Sequence, residues 1–152
     1  RNKKVLRLFA DTKFTLTGKF GDYTFTDEQE VQVGDWTTST LGLVSYYPWK
    51  YDSIGISSLD GKILERWGLD PEILSWVVNF YKDGRYTVSS HPTIVQYWSA
   101  PDNNTIVING STSKLQVNQK EMIISVQTTY NSELVWFDTI YKHASDTPTD
   151  PD

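Results

Sequence analysis

The sequence predicts an all-β protein, an antiparallel up-and-down β-barrel with an open β-sandwich as the alternative. Three observations carry this. Between Trp76 and His143, short apolar runs recur between polar turns: WVVNFY, RYTVSS, IVQYW, TIVIN, MIISVQTTY and LVWFDTIYKH, as strands of a barrel or sandwich do. Aromatics make up 14% of the chain, with six Trp and nine Tyr, and rings with β-branched residues favour pleated, half-buried surfaces. Helical periodicity, in contrast, is confined to one short stretch, so one or two short helical turns are expected beside the strands.

Taken in order, Val5–Phe9 and Phe14–Phe20 alternate apolar and polar residues and read as strands. Gly21-Asp22 turns the chain into Tyr23–Thr26, and Glu30–Val33 continues the alternation up to Gly34-Asp35-Trp36. Thr37–Ser45 reads as a further strand weakened by Gly42. Tyr46–Ser58 reads as a loop or an edge strand with exposed rings, because Pro48 cannot donate to a ladder. Leu59–Leu74 holds the helical candidate: Ile63, Leu64 and Trp67 form a short apolar face with Gly68 as a stop. Asp70-Pro71-Glu72 then has the form of an N-cap, a proline at the first helical position and an acid in the first turn.

Beyond Trp76, Lys82-Asp83-Gly84 marks a tight hairpin. Trp76, Val78 and Phe80 share one face of their strand, answered by Tyr86 and Val88. Met122, Ile124 and Val126 share another face. In the last strand, Leu134 and Trp136 lie opposite Val135, Phe137 and Tyr141. Residues 1–143 therefore form one domain, and 144–152, Pro, Thr and Asp with no large apolar side chain, read as a disordered tail.

The composition excludes several functions. Net charge is −5, and the basic cluster Arg1, Lys3, Lys4 and Arg7 is terminal, so no basic stripe offers a nucleic-acid surface. No apolar stretch reaches the roughly 20 residues of a transmembrane helix. With no cysteine, disulfides, thiol catalysis and thiolate metal sites are absent. His91 and His143 lack a partner at metal-ligand spacing and read as surface histidines. No G-x-S-x-G elbow occurs. The acids Asp60, Glu65, Asp70 and Glu72 read as the wet side of the helical stretch rather than as a glycosidase pair. The triplets Asn103-Asn104-Thr105 and Asn109-Gly110-Ser111 match a glycosylation sequon that arises often by chance. No catalytic residue, metal or cofactor is expected, and the protein is read as a non-enzyme. Arg1 is not a natural start, which points to a trimmed N-terminus.

The stretch Val77–Gly110 resembles the bacterial lipocalin-like domains common among exported proteins of gut bacteria. The resemblance rests on an F-x-x-D-G-x-Y hairpin (Phe80, Asp83, Gly84, Tyr86), a strand ending in Trp98, and a D-x-x-T-I-x-I strand (Asp102, Thr105, Ile106, Ile108). It extends over roughly 76–143. Gly34-Asp35-Trp36 has the G-x-W form that opens a lipocalin barrel; on that register residues 1–33 are an N-terminal extension, and otherwise the barrel starts near Phe14. The resemblance implies a calyx with a central cavity, just able to hold side chains or one small ligand. It also implies export to the periplasm or cell surface, with a lipid anchor on a segment preceding Arg1.

The leading expectation is thus a binding protein for a small apolar or amphipathic molecule, lined by Trp76, Phe80, Tyr86, Tyr97, Trp98, Trp136 and Phe137. The alternative is a β module that binds a glycan or a protein partner through a surface site made by Tyr46, Tyr47, Trp49 and Tyr51.

Overall fold

The computed structural model describes residues 12–20, 23–31 and 37–149. The expected strands at Val5–Phe9, the Gly34-Asp35-Trp36 motif and residues 150–152 lie outside the described residues. Strands β1 (Thr12–Phe20) and β2 (Tyr23–Val31) form an antiparallel hairpin, in register from Thr12↔Val31 to Phe20↔Tyr23. The expected strands Phe14–Phe20 and Tyr23–Thr26 fall within it.

Thr37–Ser45, expected as a strand, instead holds helix α1 (Thr40–Ser45). Ser39 caps it by accepting from the Gly42 N–H at 2.9 Å, a function that Ser performs well. Leu41 and Val44 then point together into the core. The Thr- and Val-rich composition favoured a strand, but the cap and this contact outweigh a propensity difference of a few tenths of a kcal/mol per residue.

Strand β3 (Trp49–Ser57) follows at once. Here the expectation of a loop or edge strand fails, because Pro48 precedes the first ladder residue and costs no hydrogen bond. β3 pairs with partners on both sides. β4 (Ile63–Trp67) replaces the expected helical face. Ile63 and Leu64 are 61% and 45% exposed, so no core stripe existed to nucleate a helix. The start signal at Asp70 does hold: α2 (Pro71–Leu74) begins with Pro71 and carries Glu72 in its first turn.

The remaining strands run as short hairpins: β5 (Val77–Phe80), β6 (Arg85–Val88), β7 (Gln96–Asp102), β8 (Thr105–Ile108), β9 (Ser111–Val117), β10 (Glu121–Tyr130) and β11 (Glu133–His143). Gly84, at φ +97°, makes the expected β5–β6 turn, a conformation that costs glycine little. From β5 to β11 each strand pairs with the next, and β11 returns to pair with β3. A single antiparallel sheet of nine strands thus closes in a ring, with β4 attached to β3 outside the closure. Two separate packed sheets, as in a sandwich, are not formed by these strands.

Strand alternation sorts side chains inward and outward. Val78 faces Val88 and Phe80 faces Tyr86 across the β5–β6 hairpin, as expected. Met122, Ile124 and Tyr141 belong to the core cluster, so Val126, Val135 and Phe137 share the inner face, and Leu134 and Trp136 the outer one. Beneath α1 the interior is filled: Val44, Trp49, Val78, Phe80 and Ile106 are fully buried. The Trp49 indole N–H donates to the Val44 carbonyl at 2.8 Å. Phe80 packs against Tyr86 and Trp98 at ring-centroid distances of 4.8 and 5.4 Å.

On the outer face, an acid in the middle of β11 fastens the closure. Asp138 is 3% exposed. It accepts from Ser57 of β3 at 2.5 Å and from Ser125 of β10 at 2.6 Å, and its Oδ2 lies 3.1 Å from Nη1 of Arg66 on β4. Arg66 reaches it across Gly55, which pairs with Arg66 on one side and with Asp138 on the other. A Cβ at Gly55 would stand 2.2 Å from the Glu65 carbonyl oxygen and 2.7 Å from Nη1 of Arg66. Gly55→Ala is accordingly expected to destabilise the fold by about 3 kcal/mol, the upper part of the overpacking range, measured as a lower urea midpoint. A cost below about 0.5 kcal/mol, the level of an ordinary surface change, would mean that β4 does not cross the sheet here.

The chain after β11, expected to be a tail, makes two backbone hydrogen bonds: Ala144 N–H to Pro48 and Thr149 N–H to Tyr46, both at 2.8 Å.

Candidate functional site at the open end of the ring

α1 closes the end of the ring that carries the β7–β8 turn, where Thr40 Oγ1 donates to Asn103 Oδ1 at 2.6 Å. At the other end of β6 and β7, the connection 89–95 leaves a pocket of about 190 Å³ lined by Tyr86, Val88, His91, Ile94 and Gln96. Tyr86, Val88 and Gln96 come from the inner faces of β6 and β7, and His91 and Ile94 from the exposed connection. The short β6 explains the opening. It ends at Val88, and β7 starts only at Gln96, so the wall gives way to a loop.

Behind Tyr86 stand two more tyrosines, which with it make a group of three. Tyr51 of β3 and Tyr141 of β11 pair across the ring closure with ring centroids 4.9 Å apart. Burial raises the Tyr86 and Tyr141 hydroxyls well above the ordinary phenol range, and Tyr51 adds to it. Both remain protonated and able to donate at any physiological pH. Trp76 lies edge-on to Tyr51 at 6.1 Å.

The expected lining residues therefore divide. Tyr86 lines the pocket, and Trp76 lies against its tyrosine group. Phe80 and Trp98, 0% and 2% exposed, face inward but are consumed in packing. Phe137 is on the inner face and half-buried. Tyr97, 64% exposed, points outward. Trp136 also lies outside, beneath the Lys114 ammonium at 4.7 Å. It borders an outer groove with Asn104, Thr112 and Gln127. Tyr97 and Trp136 therefore do not line the interior, since alternation puts them on the outer face.

The exposed aromatic site does not form as expected. Trp49 has no exposed surface, Tyr51 faces the interior, and Tyr46 and Tyr47 are half-buried, edge to face at 4.8 Å. Val88, Ile94 and Gln96 went unassigned by the sequence reading. The signal available was the His91-Pro92 break between two strands, which marks a mouth loop but names no inward residue.

Inner-face side chains continue past the pocket onto the long strands. The Tyr130 hydroxyl donates to Glu65 Oε2 at 2.9 Å, and its ring meets Trp67 at 6.3 Å. β10 and β4 are the outer strands of the strip β4-β3-β11-β10. This clasp spans the strip and lies over its middle strands, where Ile56 and Val135 are each 3% exposed.

His143, read as a surface residue, is half-buried at the closed end. It is wedged between the rings of Trp49 and Tyr47 at 4.6 and 4.9 Å. Its Nε2 is buried and has no hydrogen-bond partner. Burial lowers its pKa below 6.5, with partial opposition from Asp146. The unfolded chain then binds the proton more readily, so the contribution of neutral His143 is complete above about pH 6.5 and is lost as pH falls toward the folded pKa. Urea unfolding at pH 7.5 and 5.5 is expected to show a stability loss on acidification that is smaller in His143→Phe. Equal losses in both proteins would refute the assignment.

Among the described residues no group of three or more His, Cys, Asp or Glu is placed to hold a metal ion, and no helix is long and apolar enough to cross a membrane. No protein-family model matches this chain, and no match to it was found among curated proteins.

Proposed function

We propose that this chain is a non-enzymatic binding protein on a lipocalin-like β-barrel, holding a small apolar or amphipathic molecule at the open end of the ring. The pocket of about 190 Å³ at Tyr86, Val88, Ile94 and Gln96 carries the reading. It joins aliphatic walls to a few polar groups, the usual make-up of a ligand site. Its size sets the ligand: it exceeds the roughly 150 Å³ apolar cavity that accepts benzene, yet falls short of the roughly 300 Å³ at which drug-sized sites begin. The occupant is a single ring or a short chain, held near the mouth, because the space under α1 is taken by Trp49, Phe80 and Trp98. An exported, envelope-attached location remains part of the proposal through the resemblance of residues 76–143. The exposed-loop alternative loses its main platform, since Trp49 is enclosed.

Native mass spectrometry of the purified protein, followed by amide chemical-shift titration with small aromatic and aliphatic compounds, tests the proposal. A bound small molecule, or saturable shifts confined to residues 86–96, is the expected result. A bare mass together with no shift for any compound would end it.

A further inference from the structure

We infer that the fork between β9 and β10 binds an extended peptide as an added strand along Val126–Tyr130, with the peptide's C-terminal carboxylate at Lys114. The fork lies in the wall of the ring, apart from the 86–96 mouth, and the inference is independent of the proposed function.

The first argument is the course of the two strands. Their ladder runs from Met122↔Val117 to Ser125↔Lys114. Both strands reach further toward the open end, β9 back to Ser111 and β10 on to Tyr130. Each keeps its other neighbour there, Ser111–Ser113 pairing with β8 and Val126–Tyr130 with β11. The two strands therefore part beyond Lys114 and Ser125, and the groove of about 420 Å³ lies where they part. Both margins line it, Thr112, Ser113 and Lys114 from β9 and Val126 and Gln127 from β10. Ser111, Thr112 and Val126 to Thr129 are solvent-exposed. A strand edge of this kind presents N–H and C=O groups ready to pair with another chain.

The second argument is composition. Natural sheets guard an edge with charge, proline or a bulge. β4, attached to β3 outside the closure, carries Glu65 and Arg66 and has a register shift at Ile56/Ser57. Val126–Tyr130 instead reads VQTTY, residues that favour a strand, with neither charge nor proline among them. An edge so composed is a template for strand addition.

The third argument is the charge at the base of the fork. Antiparallel pairing is the more stable kind, and β10 runs from Ser125 to Tyr130, so an antiparallel partner runs back toward Ser125. Its last residue then arrives beside Lys114, whose ammonium stands 4.7 Å over the Trp136 ring. Trp136 acts here as a positioning residue. Its ring holds the ammonium where the incoming chain ends, so less side-chain freedom is lost when a carboxylate binds. Five residues of edge, roughly 17 Å at about 3.4 Å each, set the length of the peptide.

The test uses a Thr/Val pentapeptide with a free carboxyl group, its C-terminal amide, and acetate, followed by backbone amide shifts of residues 111–114 and 125–130. The free acid is expected to give saturable shifts and to bind about fivefold tighter than the amide, the upper value for an exposed ion pair. Lys114→Met, which keeps an apolar stem against Trp136, should remove that difference and leave binding of the amide unchanged. N-methylation of alternate peptide residues, in the two possible phases, should abolish binding in one phase only, because a strand turns alternate N–H groups to each side. The inference falls if no peptide shifts these amides, if acetate reproduces the shifts, or if the two methylated phases behave alike. It falls equally if Lys114→Met keeps the preference for the acid. Protection of the 126–130 amides from exchange in a dimer of the free protein would also overturn it, since a second copy then holds the edge.

Discussion

Replacing Asp138 by Ala is expected to lower the unfolding free energy by about 3–5 kcal/mol, the cost of removing one partner from a buried charged network. Three groups lose their acceptor together. The Ser57 and Ser125 hydroxyls, each about 1% to 6% exposed as residues, are left without the carboxylate, and an unsatisfied buried polar group costs roughly 1–3 kcal/mol. Arg66, with about a quarter of its side chain exposed, loses its counter-ion and turns to solvent at smaller cost. These partners come from β3, β10 and β4, so a single carboxylate ties four neighbouring strands at the place where β11 meets β3 and completes the ring. Urea unfolding measures the loss. A double-mutant cycle with Gly55→Ala should fall clearly short of additivity, because both changes release Arg66 from the same position. An Asp138→Ala cost under about 1 kcal/mol, the value of an exposed pair, would show that the closure is held by ladder and apolar contacts alone.

The reasons that some of this was legible in the sequence, and some not, are local. β5 and β6 were readable because Asp83-Gly84 forces a tight turn and a two-residue period then assigns faces without further information. The sidedness of Val135 and Phe137 against Leu134 and Trp136 was equally readable as a pair of faces. Which face pointed inward was not, since β11 is apolar on both, and so Trp136 was placed inside. Thr37–Ser45 misled because six residues of helix carry little propensity, and their direction is decided by Val44 meeting Trp49. The pocket was hidden for a related reason. It exists because β6 stops at Val88 while β7 begins at Gln96, an offset between strands far from obvious in spacing. Asp138 had a visible signal that went unread: a lone acid inside LVWFDTIY, together with a glycine inside the strand WKYDSIGIS. An acid within an apolar strand needs a partner, and a strand glycine marks close approach by another chain. Here the two marks belong to one contact.

Trp49→Ala is the second large effect expected, a loss of about 3–5 kcal/mol, as for other fully buried large aromatics. Trp49 occupies the centre of the closed end. Its indole donates to the Val44 carbonyl, within one turn of the end of α1, and one edge of the ring meets His143 at 4.6 Å. Alanine removes both the filling and the donor, leaving a helix-end carbonyl without a partner. A second readout separates this from general loosening. His143 is held below its ordinary pKa by burial, and water admitted beside it by the missing indole should return its titration toward 6.5. The pocket at Tyr86 and Gln96 lies at the opposite end of β6 and β7, so amide shifts of residues 86–96 should remain those of the parent protein. A variant that keeps its stability within about 1 kcal/mol would place the Trp49 ring outside the core. In that event the surface site with Tyr46 and Tyr47 would regain its platform, and iodide would quench the fluorescence of the parent protein at this position.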